Sequence, residues 1–173
     1  LMMQVEDRFV RPVMDLFHAT AVEVCEGQQL DMNFESRESV TIAEYIDMIA
    51  LKTAVLLGCS LETGALLAGA AEEEASRMYA FGKNLGIAFQ LHDDILDVYG
   101  DAGKFGKQVG GDIIANKKTF LLITALATKD PSLKKELEER IQKGTSDPVE
   151  KVRAVKQDRK STRLNSSHLV ISY

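Results

Sequence analysis

The sequence predicts an all-α protein that packs as a helical bundle. Apolar residues recur at intervals of three and four through most of the chain, and no stretch alternates as a strand would. The chain also has only three prolines and no tryptophan in 173 residues. Helices with one apolar face are stable when those faces pack together, as in a bundle. We expect one helical domain over residues 1–157 and a disordered or non-native tail, rich in serine, over residues 158–173.

Apolar spacing, capping residues and glycines predict the helices in order. The first is expected from Val5 to about Gln28, with a kink at Pro12. Thr41 and Glu44 have the spacing of a capping box, and the helix that they begin is expected to end at Gly58. The five glycines of residues 100–111 predict a loop. Further helices are predicted at residues 61–70, 72–99, 117–127, 131–143 and 148–157, and the first helix is expected to bury Phe9, Val13, Phe17, Ala21 and Val24.

Composition narrows the class of protein. The chain is 45% hydrophobic and 27% charged, and its formal net charge is −5. No apolar run reaches the ~20 residues of a membrane span, and an acidic chain is a poor match for nucleic acid. Cys25 and Cys59 do not have the spacing of a zinc site or a disulfide framework. We therefore expect a soluble, cytoplasmic protein without a transmembrane segment or a nucleic-acid partner.

An acidic stripe on the predicted helix 72–99 is the strongest indication of chemistry. Gln90, Asp93, Asp94 and Asp97 fall within an arc of roughly 100° at 3.6 residues per turn. The rest of residues 81–99 is mostly apolar, which predicts a buried helix whose stripe faces an internal cavity. Clustered carboxylates repel one another, and desolvation increases that cost. A hard divalent cation relieves it, and Mg²⁺ suits a site that also takes phosphate oxygens.

Lysines in and after the glycine-rich loop, together with Lys52, indicate an anion site. The glycine-rich loop and the residues after it carry four lysines, and lysine ammonium groups suit phosphate oxygens. The loop lacks P-loop spacing, and alone it is more typical of a solvated loop; beside the acidic stripe it favours a diphosphate site. Lys52, in an apolar stretch before Thr53, either extends to the surface or faces a polar cavity. The polar segment Glu26–Asp31 is as typical of a solvated helix end as of a functional site.

Taken in order, several short motifs resemble the C-terminal half of the trans-isoprenyl diphosphate synthase family. That family includes farnesyl and geranylgeranyl diphosphate synthases. The resemblance covers roughly residues 5–145 and depends on the order and spacing of the motifs, because each one alone is weak. The motifs are Gly-Gln-Gln-Leu-Asp at residues 27–31, Lys-Thr at 52–53, Phe-Gln-Leu-His-Asp-Asp-Ile-Leu-Asp at 89–97, Gly-Lys at 106–107, Gly-Asp-Ile at 111–113 and Asn-Lys-Lys-Thr at 116–119.

The resemblance implies a partial isoprenoid-synthase-type bundle, a reaction and a set of site residues. The reaction is head-to-tail condensation of isopentenyl diphosphate with an allylic prenyl diphosphate through a Mg²⁺-assisted allylic carbocation. Asp93, Asp94 and Asp97 would bind Mg²⁺. The implied catalytic residues are Lys52, Thr53 and Gln90, and the implied substrate-binding residues are Lys52, Thr53, Phe89, Gln90, Lys107 and Lys117. A full-length member is expected to form a homodimer.

The chain also departs from the family pattern. The family has a further aspartate-rich motif, and no second Asp-Asp-x-x-Asp occurs in residues 1–173. We therefore expect this chain to be a C-terminal fragment that is inactive by itself. Two alternatives stay open. One is a non-catalytic subunit of a heteromeric prenyl synthase. The other is a terpene cyclase-like protein, whose second metal motif normally mixes Asn or Asp with Ser or Thr and Glu.

Overall fold

The structure, a computed structural model, describes residues 6–100, 111–115, 117–127 and 131–142. Every regular element within these ranges is helical, which confirms the all-α prediction. The chain divides into two compact units, Leu1–His92 and Asp93–Tyr173. No helix in the described ranges is long and apolar enough to cross a membrane. In chain order the helices are α1 Asp7–Ser36, α2 Ile42–Ile49, a π-helical segment Ala50–Ala54, α3 Val55–Leu67, α4 Glu72–Tyr99, α5 Gly111–Ile114, α6 Phe120–Leu126 and α7 Pro131–Gln142.

Helix α1 is longer than predicted, and of the five residues that we expected it to bury only Val13 is buried. It continues through Pro12 and past the expected end at Gln28, as far as Ser36. Its buried residues recur every seventh position, which is about two helical turns. Phe17, which we expected to be buried, is 54% exposed. The buried set is Val13, Thr20, Gly27 and Phe34.

The start of α2 confirms the capping box. Thr41 Oγ1 accepts a hydrogen bond from the Glu44 amide at 3.2 Å, and the Thr41 amide donates to Glu44 Oε2 at 2.8 Å. This reciprocal pair satisfies two amides at the amino end that would otherwise lack partners.

The predicted stop at Gly58 is wrong. The helical chain runs on through the π-helical segment and α3 to Leu67, and Gly58 is buried inside α3. A Cβ at Gly58 would lie 2.9 Å from the ring of Tyr79, so the glycine permits close packing with α4. The helix is terminated instead by Gly69, which follows the capping residue Ala68 and has a φ of 84°. The Gly69 amide donates to Leu66 O and the Ala70 amide to Ala65 O, as in a Schellman motif.

The first unit is built around the contact of α1 with the π-helical segment and α3, while α2 packs beside them. Helix α4 approaches this group closely, since a Cβ at Gly86 would lie 2.6 Å from Ala54 Cα. The Tyr79 hydroxyl donates to Glu23 Oε2 at 3.3 Å, which links α4 to α1. Burial, followed by the charge of Glu23, raises the pKa of Tyr79 to about 12.

The expectation that α4 is buried on most sides is wrong for one of its faces. Met78, Phe81, Leu85 and Phe89 follow one another at helical spacing and are 39%, 59%, 49% and 61% exposed. The helix bounds were predicted correctly, because apolar periodicity is a local property. Burial depends on which elements lie opposite, and no described element covers these four side chains.

The second unit has a small core of its own. Val98, at the end of α4, is buried with Leu121 and Ala125 of α6, and Ile95, Phe120 and Leu126 pack against them. Helix α6 begins three residues later than the predicted helix at 117, because Thr119 caps it. Helix α7 ends at Gln142, one residue before the predicted end. The predicted helix at 148–157 and the tail at 158–173 lie outside the described residues.

Candidate functional site

Lys52 lies in the π-helical segment and forms an ion pair with α1. Its Nζ is 2.5 Å from Asp31 Oδ2, and both side chains are partly buried, with exposed fractions of 33% and 20%. The sequence left open whether Lys52 extends to the surface or faces a polar cavity. The ion pair shows that its ammonium group has a polar partner inside the first unit. π-helical turns occur frequently at functional sites. The same segment carries Thr53, which is half-buried.

The partner of Lys52 belongs to the polar segment Glu26–Asp31, for which the sequence left a solvated helix end as an even alternative. Gly27 and Asp31 lie one turn apart inside α1, so both meet the π-helical segment. A Cβ at Gly27 would lie 2.3 Å from the Lys52 amide nitrogen, so the two backbones are in direct contact. The interpretation missed Asp31 as a site residue. The four-residue spacing of Gly27 and Asp31 was the available signal, since it places both on one helix face.

Phe89 and Gln90 lie near the end of the first unit, on α4. Phe89 belongs to the exposed apolar face described above, and Gln90 is half-buried. The implied role of both residues in substrate binding, and that of Gln90 in catalysis, stay predictions. We also expect Lys52 to lie within several ångströms of the stripe's aspartates, and this stays a prediction because those aspartates belong to the second unit.

Asp94 is the most deeply buried of the three aspartates and contacts α6. Its side chain is only 4% exposed. Asp94 Oδ2 accepts a hydrogen bond from the Phe120 amide at 3.0 Å, while Thr119 Oγ1 accepts from the Leu122 amide at 3.4 Å. Two amides in the first turn of α6 therefore have side-chain acceptors.

Asp97 contacts the residues that follow the glycine-rich loop. Its Oδ2 accepts a hydrogen bond from the Asp112 amide at 3.3 Å, and Asp112 Oδ1 is in turn 3.3 Å from Lys117 Nζ. Burial raises the pKa of Asp97 above its usual value, and the negative charges of Asp112 and then Asp93 raise it further. The sequence interpretation did not name Asp112 as a site residue, although it is the central residue of the quoted Gly-Asp-Ile motif.

The donor set suits a hard cation. Within the described ranges, no group of three or more His, Cys, Asp or Glu side chains is arranged to hold a metal ion. Mg²⁺ rarely uses such a protein cage, since it is usually bound through one or two carboxylates with waters and substrate phosphates. The crowding of Asp93, Asp97 and Asp112 is the kind of charge repulsion that a cation relieves. Of the predicted lysines, Lys117 lies at this cluster and Lys107 lies outside the described residues.

Comparisons with known proteins agree on one family. The family model of polyprenyl synthetase matches residues 1–158. A short chain isoprenyl diphosphate synthase of Methanocaldococcus jannaschii is 43% identical over 132 residues, which are 76% of this chain and 40% of that protein. The chain thus spans about two fifths of the length of this curated relative.

Solved structures share the fold. A geranylgeranyl pyrophosphate synthase superposes with a TM-score of 0.84 at 39% identity, over 93% of this chain and 51% of that one. A geranylgeranyl pyrophosphate synthase from Corynebacterium glutamicum, complexed with isoprenyl diphosphate and magnesium, gives a TM-score of 0.78 at 27% identity, over 91% of this chain and 45% of that one. Together with the match of the family model, these similarities show that the chain belongs to the polyprenyl synthetase family.

Proposed function

We propose that the chain is part of a trans-prenyltransferase that joins isopentenyl diphosphate to an allylic prenyl diphosphate, head to tail, through an allylic carbocation. The observation that carries the proposal is the extent of the family match. It covers residues 1–158 and so includes the Lys52–Thr53 pair and the acidic stripe. The related structure that contains isoprenyl diphosphate and magnesium supports the same ligands here.

Mg²⁺ is the proposed cofactor, held by the acidic stripe of Asp93, Asp94 and Asp97. One or two of these carboxylates suffice, because phosphate oxygens and waters complete the coordination of Mg²⁺. When bound, the ion acts as a Lewis acid and draws negative charge onto the departing diphosphate. The charge crowding around Asp97 supports this placement, since a cation there offsets the repulsion.

The basic side chains would hold the diphosphate. A lysine ammonium has three N–H donors, so the ion pair of Lys52 with Asp31 still leaves donors for phosphate oxygens. Lys107 and Lys117 receive the same role from the resemblance. The ammonium group of Lys117 lies 3.3 Å from Asp112 Oδ1, beside the carboxylates proposed to hold the cation.

The remaining site residues would stabilise the cation and position the second substrate. Thr53 and Gln90 carry oxygen dipoles, which stabilise developing positive charge without supplying a nucleophile. Phe89 offers an apolar ring to isopentenyl diphosphate, and 61% of its surface is accessible. The homodimer, the cytoplasmic location and the lack of a nucleic-acid partner stay predictions.

The test compares two forms of the protein. The purified 173-residue chain is incubated with isopentenyl diphosphate, an allylic diphosphate and Mg²⁺, and we expect no prenyl product, because only one aspartate-rich motif is present. A chimera that adds the amino-terminal part of the M. jannaschii relative should form a product. Efficient turnover by the 173-residue chain would refute the requirement for a second motif.

Variants of the active chimera test the site. Asp93→Ala should reduce turnover by at least about tenfold, as expected when a metal ligand or its close support is removed. Asp15→Ala is the matched control, because Asp15 is an exposed aspartate on α1 whose side chain is 71% accessible. Equal activity of the two variants would contradict the assignment of the acidic stripe.

A further inference from the structure

The three aspartates of the acidic stripe have different surroundings, although the family resemblance implies the same role, binding of Mg²⁺, for all three. Asp94 is 4% exposed and accepts the Phe120 amide at 3.0 Å, so one of its oxygens is committed to α6. Asp93 is half-buried and, within the described part of the chain, has no hydrogen-bond partner. A buried carboxylate needs hydrogen bonds to offset its desolvation, and Asp94 has at least this one. The difference indicates a division of roles.

The hydrogen bond between the Phe120 amide and Asp94 adjoins a series of backbone hydrogen bonds. The Phe120 amide begins α6, and Thr119, the capping residue just before it, is 5% exposed. The Thr119 amide donates to Lys117 O at 2.9 Å, and the Lys117 amide donates to Asp112 O at 2.9 Å. Through this chain of bonds, the position of the Lys117 backbone depends on where α6 begins. Asp94 therefore anchors to α4 the residues that carry a proposed diphosphate ligand.

We infer that Asp94 is a positioning residue: it fixes the start of α6, and with it Lys117, against α4, while Asp93 provides the carboxylate that contacts the cation. The inference rests on the proposed Mg²⁺ site and refines it. Asp97 combines features of both roles. Its Oδ2 accepts a hydrogen bond from the Asp112 amide at 3.3 Å, as a positioning residue would, and it is close to the negative charges of Asp112 and Asp93, as a metal ligand would be.

The hydrogen bond itself identifies the substitutions to use. Asparagine keeps a side-chain oxygen, and Asn and Asp serve about equally well as acceptors at helix amino ends. Asp94→Asn should therefore preserve the bond to Phe120, whereas Asp94→Ala removes it. A metal ligand behaves differently, because replacing its carboxylate by an amide removes the charge that binds a hard cation. Asp93→Asn and Asp94→Asn are thus chemically identical changes at neighbouring positions with different expected results.

The experiment uses the 173-residue chain with two measurements. Amide hydrogen exchange of Phe120 is followed by NMR, and Mn²⁺ binding is followed by electron paramagnetic resonance with inorganic pyrophosphate present. Mn²⁺ is a suitable probe because it shares the preference of Mg²⁺ for oxygen ligands. Asp94→Ala should speed exchange of the Phe120 amide by about tenfold, as for a lost helix cap, and Asp94→Asn should restore protection. Asp93→Asn should weaken Mn²⁺ binding by about tenfold or more, and Asp94→Asn by less than about threefold.

The outcomes separate this inference from the proposed function. Equal loss of Mn²⁺ affinity in Asp93→Asn and Asp94→Asn would overturn the inference, as would unchanged Phe120 exchange in Asp94→Ala. If Asp94→Ala does not fold, the two asparagine variants still decide the question. Failure of the unmodified chain to bind Mn²⁺ would count against the proposed metal site, and protection of Phe120 in Asp94→Asn but not in Asp94→Ala would then still support the anchoring role.

Discussion

Replacing Gly27 by alanine should destabilise the protein, although alanine favours helices. A Cβ at this position would lie 2.3 Å from the Lys52 amide nitrogen, 2.7 Å from Leu51 C and 2.7 Å from Lys52 Cα. All three are backbone atoms, which cannot rotate away as the end of a side chain can. Either α1 or the π-helical segment must therefore move, and the ion pair between Lys52 and Asp31 moves with them.

The magnitudes determine the sign of the effect. Alanine gains about 1 kcal/mol over glycine in a helix interior. Overpacking a tight interior typically costs about 1–3 kcal/mol and occasionally more, and three backbone contacts far below 3.0 Å belong at the upper end of that range. We expect a net loss of about 2 kcal/mol in the free energy of unfolding. For a chain of this size that corresponds to a fall in Tm of roughly 4–8 °C.

Gly64→Ala is the matched control. Gly64 also lies inside a helix, α3, and a Cβ there would have nothing within 4 Å. It should raise the free energy of unfolding by about 0.5–1 kcal/mol. Urea unfolding followed by circular dichroism measures both variants against the unmodified chain. If Gly27→Ala is as stable as Gly64→Ala, the backbone of Leu51 and Lys52 does not approach Gly27 closely enough to exclude a Cβ.

Three further predictions concern pH and the chain end. The hydrogen bond from Arg37, followed by those from Thr41, lowers the pKa of Glu44 from 4.5 to about 2. The stabilisation by Glu44 should therefore be present above pH 4.5 and lost as the pH falls towards 2. Thermal unfolding across this range should show a smaller dependence of Tm on pH for Glu44→Gln than for the unmodified chain. Burial and the charge of Glu23 raise the pKa of Tyr79 from 10 to about 12. The contribution of Tyr79 to stability should therefore be present below pH 10 and lost as the pH rises towards 12. Thermal unfolding at alkaline pH should show a smaller dependence of Tm on pH for Tyr79→Phe. Deleting residues 159–173 should leave Tm almost unchanged; a large fall in calorimetry would show that the tail is part of the fold.

Local signals predicted the elements whose causes are local. The capping box of Thr41 and Glu44 joins residues three apart, so neighbouring sequence suffices to form it. The bounds of α4 were predicted because apolar spacing over many residues is a strong helical pattern. The order of the motifs likewise indicated the family, since motif order is a property of the chain and needs no coordinates.

The roles of Gly58 and Gly27 could not be predicted from the sequence, because they depend on the opposing element. At Gly58 a helix end was expected from the residue type alone, and the polar segment that begins near Gly27 was equally typical of a helix end. Both glycines lie inside helices, where a missing Cβ lets another backbone or ring approach. Within the described residues, Gly69 alone adopts a positive φ, and it terminates a helix. Nothing near Gly27 in sequence indicates that Leu51 and Lys52 lie against it.

For the candidate site, the sequence by itself determined the types of side chain and their helical spacing: carboxylates at three and four residues on one helix, and a lysine beside a threonine on another. Only the tertiary structure decided how those groups are partnered. Lys52 pairs with Asp31, 21 residues away, and Asp94 bonds to Phe120, 26 residues away. The physical reason is that helical periodicity orients a side chain but does not specify what lies opposite. Burial and hydrogen-bond partners arise only when distant segments meet, and they separate the roles of neighbouring aspartates.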